Sequence, residues 1–570
     1  MQPAIPAIEP EDYRQQVVMK WLLLTVLGVA VFLNSLMGAF VFDDQRLVID
    51  NPDIRSLGLS SKAWSSPHRT TLWTLAVNRA VGQDKPWGYH LVNVVLHALS
   101  GLVLFGLLCR TLLRQSDRPR LQELAPWIAF SVALLWMIHP LQTQSVTYVS
   151  SRSDLVAGLC FLLTLYGTLR GAEEQSSVGW YGLAILACAL GMGEAPYMAV
   201  APVVVLLYDR IYPAESFAES LKRRRGLYAG LAACWLLLAL PLLGDAGVAS
   251  RDPLTYLLTQ FGVILHYLRL TLWPHDLCFD YSDWPETRKS GDALVPGVVV
   301  FGLLASAAFV SVWWPKIGFP AVWFFLTLLP SSIVPQPEFV REQRMYLPLV
   351  GLSALVVLAA VTLTRPLDGR VAVPEAVGLL VALPVAAILG FVTFQRNEKY
   401  YNAVDLWQDT VAKRPANVLA RQQLGKARLS LAGALFNAGK FDQAATEYRA
   451  ILDSDGVPEE MREAAHRNLG LALGMSGDLD AAVSTLESNW GTDSERGAAL
   501  NLLGLKLLLD KKDHSSAERC FRDAIRLQPD IAAYHSNLAE ALKLGGKVKE
   551  AEAEKQSVLN IDPDFFKPKR

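Results

Sequence analysis

Apolar runs recur along the first two thirds of this chain, each about as long as a bilayer is thick and each ending in a short charged or turn-forming stretch. Crossing the hydrocarbon core takes roughly 20 apolar residues, and there the backbone must satisfy its own hydrogen bonds, which makes such runs helices. Runs at 21–41, 89–113, 126–142, 153–170, 179–194, 196–210, 226–244, 294–314, 318–334, 346–363 and 371–394 read as candidate spans. The 570 residues are 52% hydrophobic and only 19% charged, with a mean hydropathy of +0.26, which is too oily for a soluble chain of this length. A formal net charge of −1 speaks against a nucleic-acid partner recruited by bulk electrostatics. The six cysteines show neither metal-ligand nor paired spacing, so no disulfide framework is legible.

Residues 1–20 are polar, and Lys20 abuts the first apolar run. A cleavable leader would have a shorter apolar stretch closed by small residues, so 21–41 reads as a retained first helix. Lysine and arginine in short loops mark the cytoplasmic side. With 1–20 cytoplasmic, "RQSDRPR" (114–120), "LKRRR" (221–225), Lys316 and "TRPLDGR" (364–370) fall on that side. The loops 42–88, 143–152, 245–292 and 335–345 then face the other. The stretch 255–275, which contains His266 and Arg269, is ambiguous. Without it the count is about eleven and the C-terminal half emerges opposite the N-terminus; with it, twelve. Eleven is preferred because it keeps Lys316, Arg365 and Arg370 inside.

After about residue 397 the chain becomes charged and rich in alanine and leucine, and a repeat begins. "NLG" (468–470), "LLG" (502–504) and "NLA" (537–539) recur at a spacing near 34, each followed by a turn and a second amphipathic helix. Small residues at helix crossings, large ones between them, and Pro529 and Pro563 as stops form a tetratricopeptide pattern of about four or five repeats. Such arrays present a concave surface to a peptide; a plain helical spacer is the alternative.

Five polar clusters stand at the ends of the apolar runs, where an ionisable residue is costly unless it has a partner or a task. Asp43 and Asp44 lead the first, with Arg46, Asp50 and Asn51. Adjacent carboxylates disfavour double ionisation, which suits one of them to proton abstraction; a helix-end cap is the plainer reading. His90, Asn93 and His97 share one helix face, either toward a pocket or as interhelical hydrogen-bond partners. His139, Arg152 and Asp154 form the third cluster, where a local Arg–Asp pair would also serve. Glu194, between two runs, is a helix-start carboxylate that also suits the macrodipole. Glu338, Arg341, Glu342 and Arg344 precede the 346–363 run, where arginine forks suit phosphate or lipid headgroups.

The ordered motifs "FDDQRLVIDNPDI", "KPWGYHLVNVVLHAL", "IHPLQTQSVTYVSSRSDLVAGL", "LTLWPHDLCFDYS" and "PSSIVP…REQRMYLPLVGL", followed by the repeats, resemble the transmembrane-and-TPR-containing O-mannosyltransferases and their bacterial relatives across essentially the whole chain. The resemblance implies an all-α, GT-C-type polytopic catalytic bundle over 21–396 with an external loop at 42–88 that carries an acidic motif, and a repeat solenoid over 397–570. It implies an inverting glycosyltransferase. A mannose-like sugar would pass from a polyprenyl- or dolichyl-phosphate donor to a protein Ser or Thr hydroxyl, with the acceptor recruited in the repeat groove and no metal required. Carried over by position, Asp43 would be the base and Asp44 its support. Arg344 and Arg341 would hold the leaving phosphate. His90, Asn93, His139, Arg152, Asp154, Glu194 and Glu342 would line the pocket, with Asp43, Glu194 and Arg344 sharing one cavity. "GMGEAP" keeps the glutamate of a Ser-Lys-Glu motif but lacks its lysine, and Gln343 stands where a histidine is usual. The short repeat array points to a bacterial inner-membrane protein with its repeats outside, or an ER protein with lumenal repeats if eukaryotic. The competing readings are a membrane-anchored repeat scaffold without enzyme activity and, less favoured, a lipid-linked sugar flippase.

Overall fold

The computed structural model describes residues 10–567 apart from 59, 115–121, 174–177, 213–215, 244–250, 364–373 and 489. Two of the basic loops read as cytoplasmic, 114–120 and 364–370, lie almost wholly outside the described residues. Among those described, every regular element is helical. The chain forms two compact units, Met1–Arg414 and Pro415–Arg570.

The first unit is a helical bundle. Its principal helices are α1 (Pro10–Ala30), α2 (Arg69–Gly82), α3 (Pro86–Leu113), α4 (Ala125–Ile138), α5 (Arg152–Glu173), α6 (Val178–Gly191), α7 (Ala201–Ile211) and α8 (Arg225–Ala233). After these come α9 (Pro253–Leu272), α10 (Ser290–Trp313), α11 (Pro315–Ile333), α12 (Pro348–Leu363), α13 (Pro374–Glu398) and α14 (Ala403–Lys413). Proline at the first turn starts α3 and α9, where its missing N–H costs nothing. Five segments among the described residues are helical, long and apolar enough to cross a bilayer, or six if the bent pair Ala125–Ile138 and Pro140–Thr147 is one broken span. That is fewer than the eleven candidate spans. Val178–Gly191, Arg225–Leu238 and Pro348–Thr362 are apolar but short, and the 196–210 run is split between a tight turn and the short α7. Helix α9 is unbroken but is not among the five, being interrupted by Gln260, His266 and Arg269. Leu22 and Val26 of α1, and Val298, Phe301 and Val312 of α10, are exposed, as side chains facing lipid would be.

Two segments expected to be loops are structured. Residues 142–147 are buried throughout, and the polar ones are absorbed internally: Gln144 donates to the Phe279 carbonyl (2.9 Å) and Thr147 to Asn397 (2.8 Å). Loop 42–88 carries α2 and packs Val48, Ile54, Ala63, Leu75 and Ala76 against Tyr89 and Val149.

The second unit stacks four antiparallel pairs: α15 (Val418–Asn437) with α16 (Phe441–Leu452), α17 (Glu459–Ser476) with α18 (Leu479–Glu487), α19 (Asp493–Leu509) with α20 (His514–Leu527), and α21 (Ala532–Leu544) with α22 (Val548–Ile561). The recurring glycines sit where paired helices touch. A Cβ on Gly470 would lie 2.3 Å from Leu486, and one on Gly504 would lie 2.6 Å from Phe521. Gly477 ends α17 at φ +111°, a conformation open to glycine. A Thr492–Glu495 capping box starts α19. Gly504→Ala is therefore expected to destabilise this unit by about 1–3 kcal/mol through overpacking, seen as faster amide exchange across α19 and α20 of the full chain.

Candidate active site

Phe42 ends the first apolar segment in the left-handed region, at φ 50°, which costs a non-glycine residue about 1–3 kcal/mol. Its ring is held edge-on against Trp407 (5.3 Å) and Phe279 (6.1 Å), which offsets that strain. The turn sends the two adjacent aspartates in different directions. Asp44 is fully buried and clasps the start of α5: one oxygen accepts from the Ser150 N–H (2.8 Å) and hydroxyl, the other from the Val41 N–H (3.0 Å). Burial pushes its carboxyl up to about 7 against the pull of these donors. Asp43 lies in the wall of a cavity of about 650 Å³. Its N–H donates to the Tyr148 hydroxyl (3.1 Å), and Arg46 is 3.6 Å from its carboxylate.

The same cavity takes Asp154 from the first turn of α5, Glu338 and Arg341 from the segment before α12, and His68 from the start of α2. Arg341 gives Nε and Nη2 to Glu338 (Nη2, 2.7 Å). Its backbone is clamped from both sides by the Tyr267 hydroxyl of α9, which accepts from its N–H and donates to its carbonyl, both at 2.9 Å. Five carboxylates (Asp43, Asp53, Asp154, Asp280, Glu338) face two guanidiniums and one imidazole.

The other candidates stand behind the cavity wall. Of the trio expected to share one cavity, Asp43 alone faces it; Glu194 and Arg344 do not, because their polar atoms are committed elsewhere. Arg344 donates to the carbonyls of Glu338 (2.7 Å) and Phe339 (2.8 Å) and to the Tyr256 hydroxyl (3.3 Å), so it shapes the turn that carries Arg341. Glu194 caps α2, accepting from the N–H groups of Thr70 (2.7 Å) and Thr71 (3.2 Å) and from the Thr71 hydroxyl (2.7 Å). Arg152 is fully buried and joins three elements through Asn93 (2.7 Å), Asn78 (2.8 Å) and the Tyr89 carbonyl (2.9 Å). It forms no ion pair with Asp154. On the polar face of α3, Asn93 and His97 act as interhelical partners, with His97 bridging Tyr346 (3.0 Å) and the Met137 carbonyl (2.9 Å). His90 is buried against Gly38. His139 accepts from the Leu141 N–H and reaches the Thr271 carbonyl (3.0 Å). Glu342, whose carboxyl burial raises, accepts from the Cys278 N–H (2.6 Å) and the Tyr281 hydroxyl (2.7 Å).

Sequence reasoning missed His68, Asp53, Asp280 and Tyr148 as cavity residues. Only "SSPHRTT" (65–71) carried a signal, a helix-start pattern with a histidine at the cap.

The tetratricopeptide-repeat family model matches residues 429–488 and 502–564. The Drosophila melanogaster Protein O-mannosyl-transferase Tmtc2 is 26% identical over 45% of this chain and 30% of its own length. The Homo sapiens TMTC4 is 32% identical over 30% of this chain and 27% of its own, and the Homo sapiens TMTC2 27% over 46% and 35%. The chain is similar to the TMTC O-mannosyl-transferases and carries tetratricopeptide repeats. Its matched part spans about a third of those TMTC relatives or less. Among solved structures, the MamA protein aligns with 30% of this chain and 85% of its own at 19% identity and a TM-score of 0.20. This TMTC-like chain thus joins an apolar helical bundle enclosing an acidic-and-basic cavity to a repeat array.

Proposed function

We propose that the bundle is a glycosyltransferase of GT-C type that moves a mannose-like sugar from a polyprenyl- or dolichyl-phosphate donor to a protein Ser or Thr hydroxyl. The observation that carries this reading is the meeting of a cavity-lining carboxylate, Asp43, and a guanidinium on a clamped backbone, Arg341, in one cavity among apolar helices. Asp43 takes the proton of the acceptor hydroxyl as its oxygen attacks the anomeric carbon. The bond from that carbon to the phosphate oxygen breaks, and the phosphate leaves with the electron pair beside Arg341. Attack opposite the leaving group inverts the anomeric centre. The repeats recruit the acceptor, a task suited to their stacked helical surface. The similarity to Protein O-mannosyl-transferases supports mannose as the class of sugar. A scaffold without enzyme activity has no use for such a cavity. The test is reconstitution of the full chain in vesicles with polyprenyl-phosphate mannose and a Ser/Thr-rich peptide: labelled peptide is expected, and none from active-donor preparations would refute the reading.

A further inference from the structure

A phosphate entering this cavity meets more carboxylates than cations. Arg46 is mostly exposed at the rim beside Asp43, and Arg341 has two of its three nitrogens on Glu338. The remaining basic group is His68, whose side chain is half exposed (51%) in the cavity wall. Behind the ring, Glu194 lies 3.8 Å from Nδ1. Glu194 is fixed by the three donors of α2, and Arg69, the next residue, is anchored on the carbonyls of Ala189 (3.0 Å) and Met192 (3.4 Å). The imidazole is therefore set on a rigid base in the cavity wall, with Nδ1 toward a buried carboxylate.

We propose that His68, backed by Glu194, is a further cation of the cavity, beside Arg46 and Arg341, and binds the phosphate of the lipid-linked donor together with Arg341. This rests on the transferase reading above and names a residue it did not use. The groups facing His68 are Glu194 from the turn after α6, Asp154 from α5, Arg69 on its own helix, and Arg341 and Glu338 across the cavity. Withdrawal from water lowers the affinity of the ring for a proton. The Glu194 carboxylate 3.8 Å away and the charge of Asp154 outweigh it, leaving the pKa above the ordinary 6.5. The cation therefore persists to higher pH than in a free histidine, and its contribution to anion binding is lost as pH rises through that raised pKa.

The experiment measures binding of full-length protein to phosphatidylcholine vesicles carrying polyprenyl monophosphate, between about pH 6 and about pH 9. His68→Gln is expected to weaken binding about 10- to 100-fold at the acid end, the worth of a hydrogen bond to a charged group. His68→Lys is expected to restore it and to hold it at the alkaline end. The ratio of wild-type to His68→Lys affinity cancels the titration of the phosphate itself, and it should fall as pH rises. Inorganic phosphate should compete, and vesicles of phosphatidylglycerol should not substitute. His68→Gln with wild-type affinity and pH dependence overturns the proposal, as does equal binding to phosphatidylglycerol or a His68→Lys as weak as His68→Gln. If the wild type transfers sugar while His68→Gln binds normally, this inference fails and the transferase reading stands. If His68-dependent binding occurs without transfer, the reverse holds.

Discussion

Asp43→Asn is expected to lower the rate of sugar transfer by about 10²- to 10⁴-fold, the range for removal of a general base, while leaving melting temperature and donor affinity near wild type. The side chain is a third exposed, and its nearest charged neighbour is Arg46 at 3.6 Å, a surface pair worth about 0–1 kcal/mol. Nothing in the fold depends on it. The adjacent Asp44→Asn should behave in the opposite way. Asp44 is buried and accepts from Val41 and Ser150 on both oxygens. An asparagine has one acceptor oxygen and turns an amino group toward a donor, costing about 1–3 kcal/mol for the buried partner left unpaired. Reconstituted transfer read beside thermal unfolding separates the two. Equal loss of stability in both, or an active Asp43→Asn, would remove Asp43 from the reaction.

Arg341→Gln is expected to weaken donor binding by about 10- to 100-fold, the cost of losing a hydrogen bond to a charged group, with unfolding little changed. Among the described residues its guanidinium is hydrogen-bonded to Glu338 alone, and its backbone clamp by Tyr267 does not need the side chain. Arg341→Lys should recover part of the affinity, because a point charge replaces a two-pronged fork. Arg344→Gln is expected to act on stability instead, since it strips donors from the Glu338 and Phe339 carbonyls and the Tyr256 hydroxyl. Donor titration by vesicle binding, with a melting curve for each variant, checks the pair. A purely structural Arg341, with melting lost and affinity of the surviving fold intact, would move the phosphate elsewhere.

The polar clusters at helix ends were legible because ionisable groups interrupting apolar runs stand out in any reading of hydropathy. What each group does was not. Arg344 and Arg341 are three residues apart in one motif, yet one holds up a turn and the other faces the cavity. Asn93 and Arg152, in motifs far apart, turn out to be each other's partners at 2.7 Å. His68 left a weaker mark, because a single histidine in a polar loop has no apolar background to stand against. Hydropathy registers apolar stretches but not where a helix breaks, as at the 54° bend after Ile138.

By itself, the sequence determined an all-helical chain of two characters, apolar bundle and repeat array, because both follow from local periodicity: apolar length in one half, and small-residue spacing near 34 in the other. Gly470 and Gly504 fall at helix contacts as that spacing requires. The tertiary structure alone decided which carboxylate of the Asp43–Asp44 pair is free. The deciding contacts, the Phe42 ring between Phe279 and Trp407 and the Asp44 clasp on Ser150, join residues more than 100 positions apart, and no local pattern encodes them.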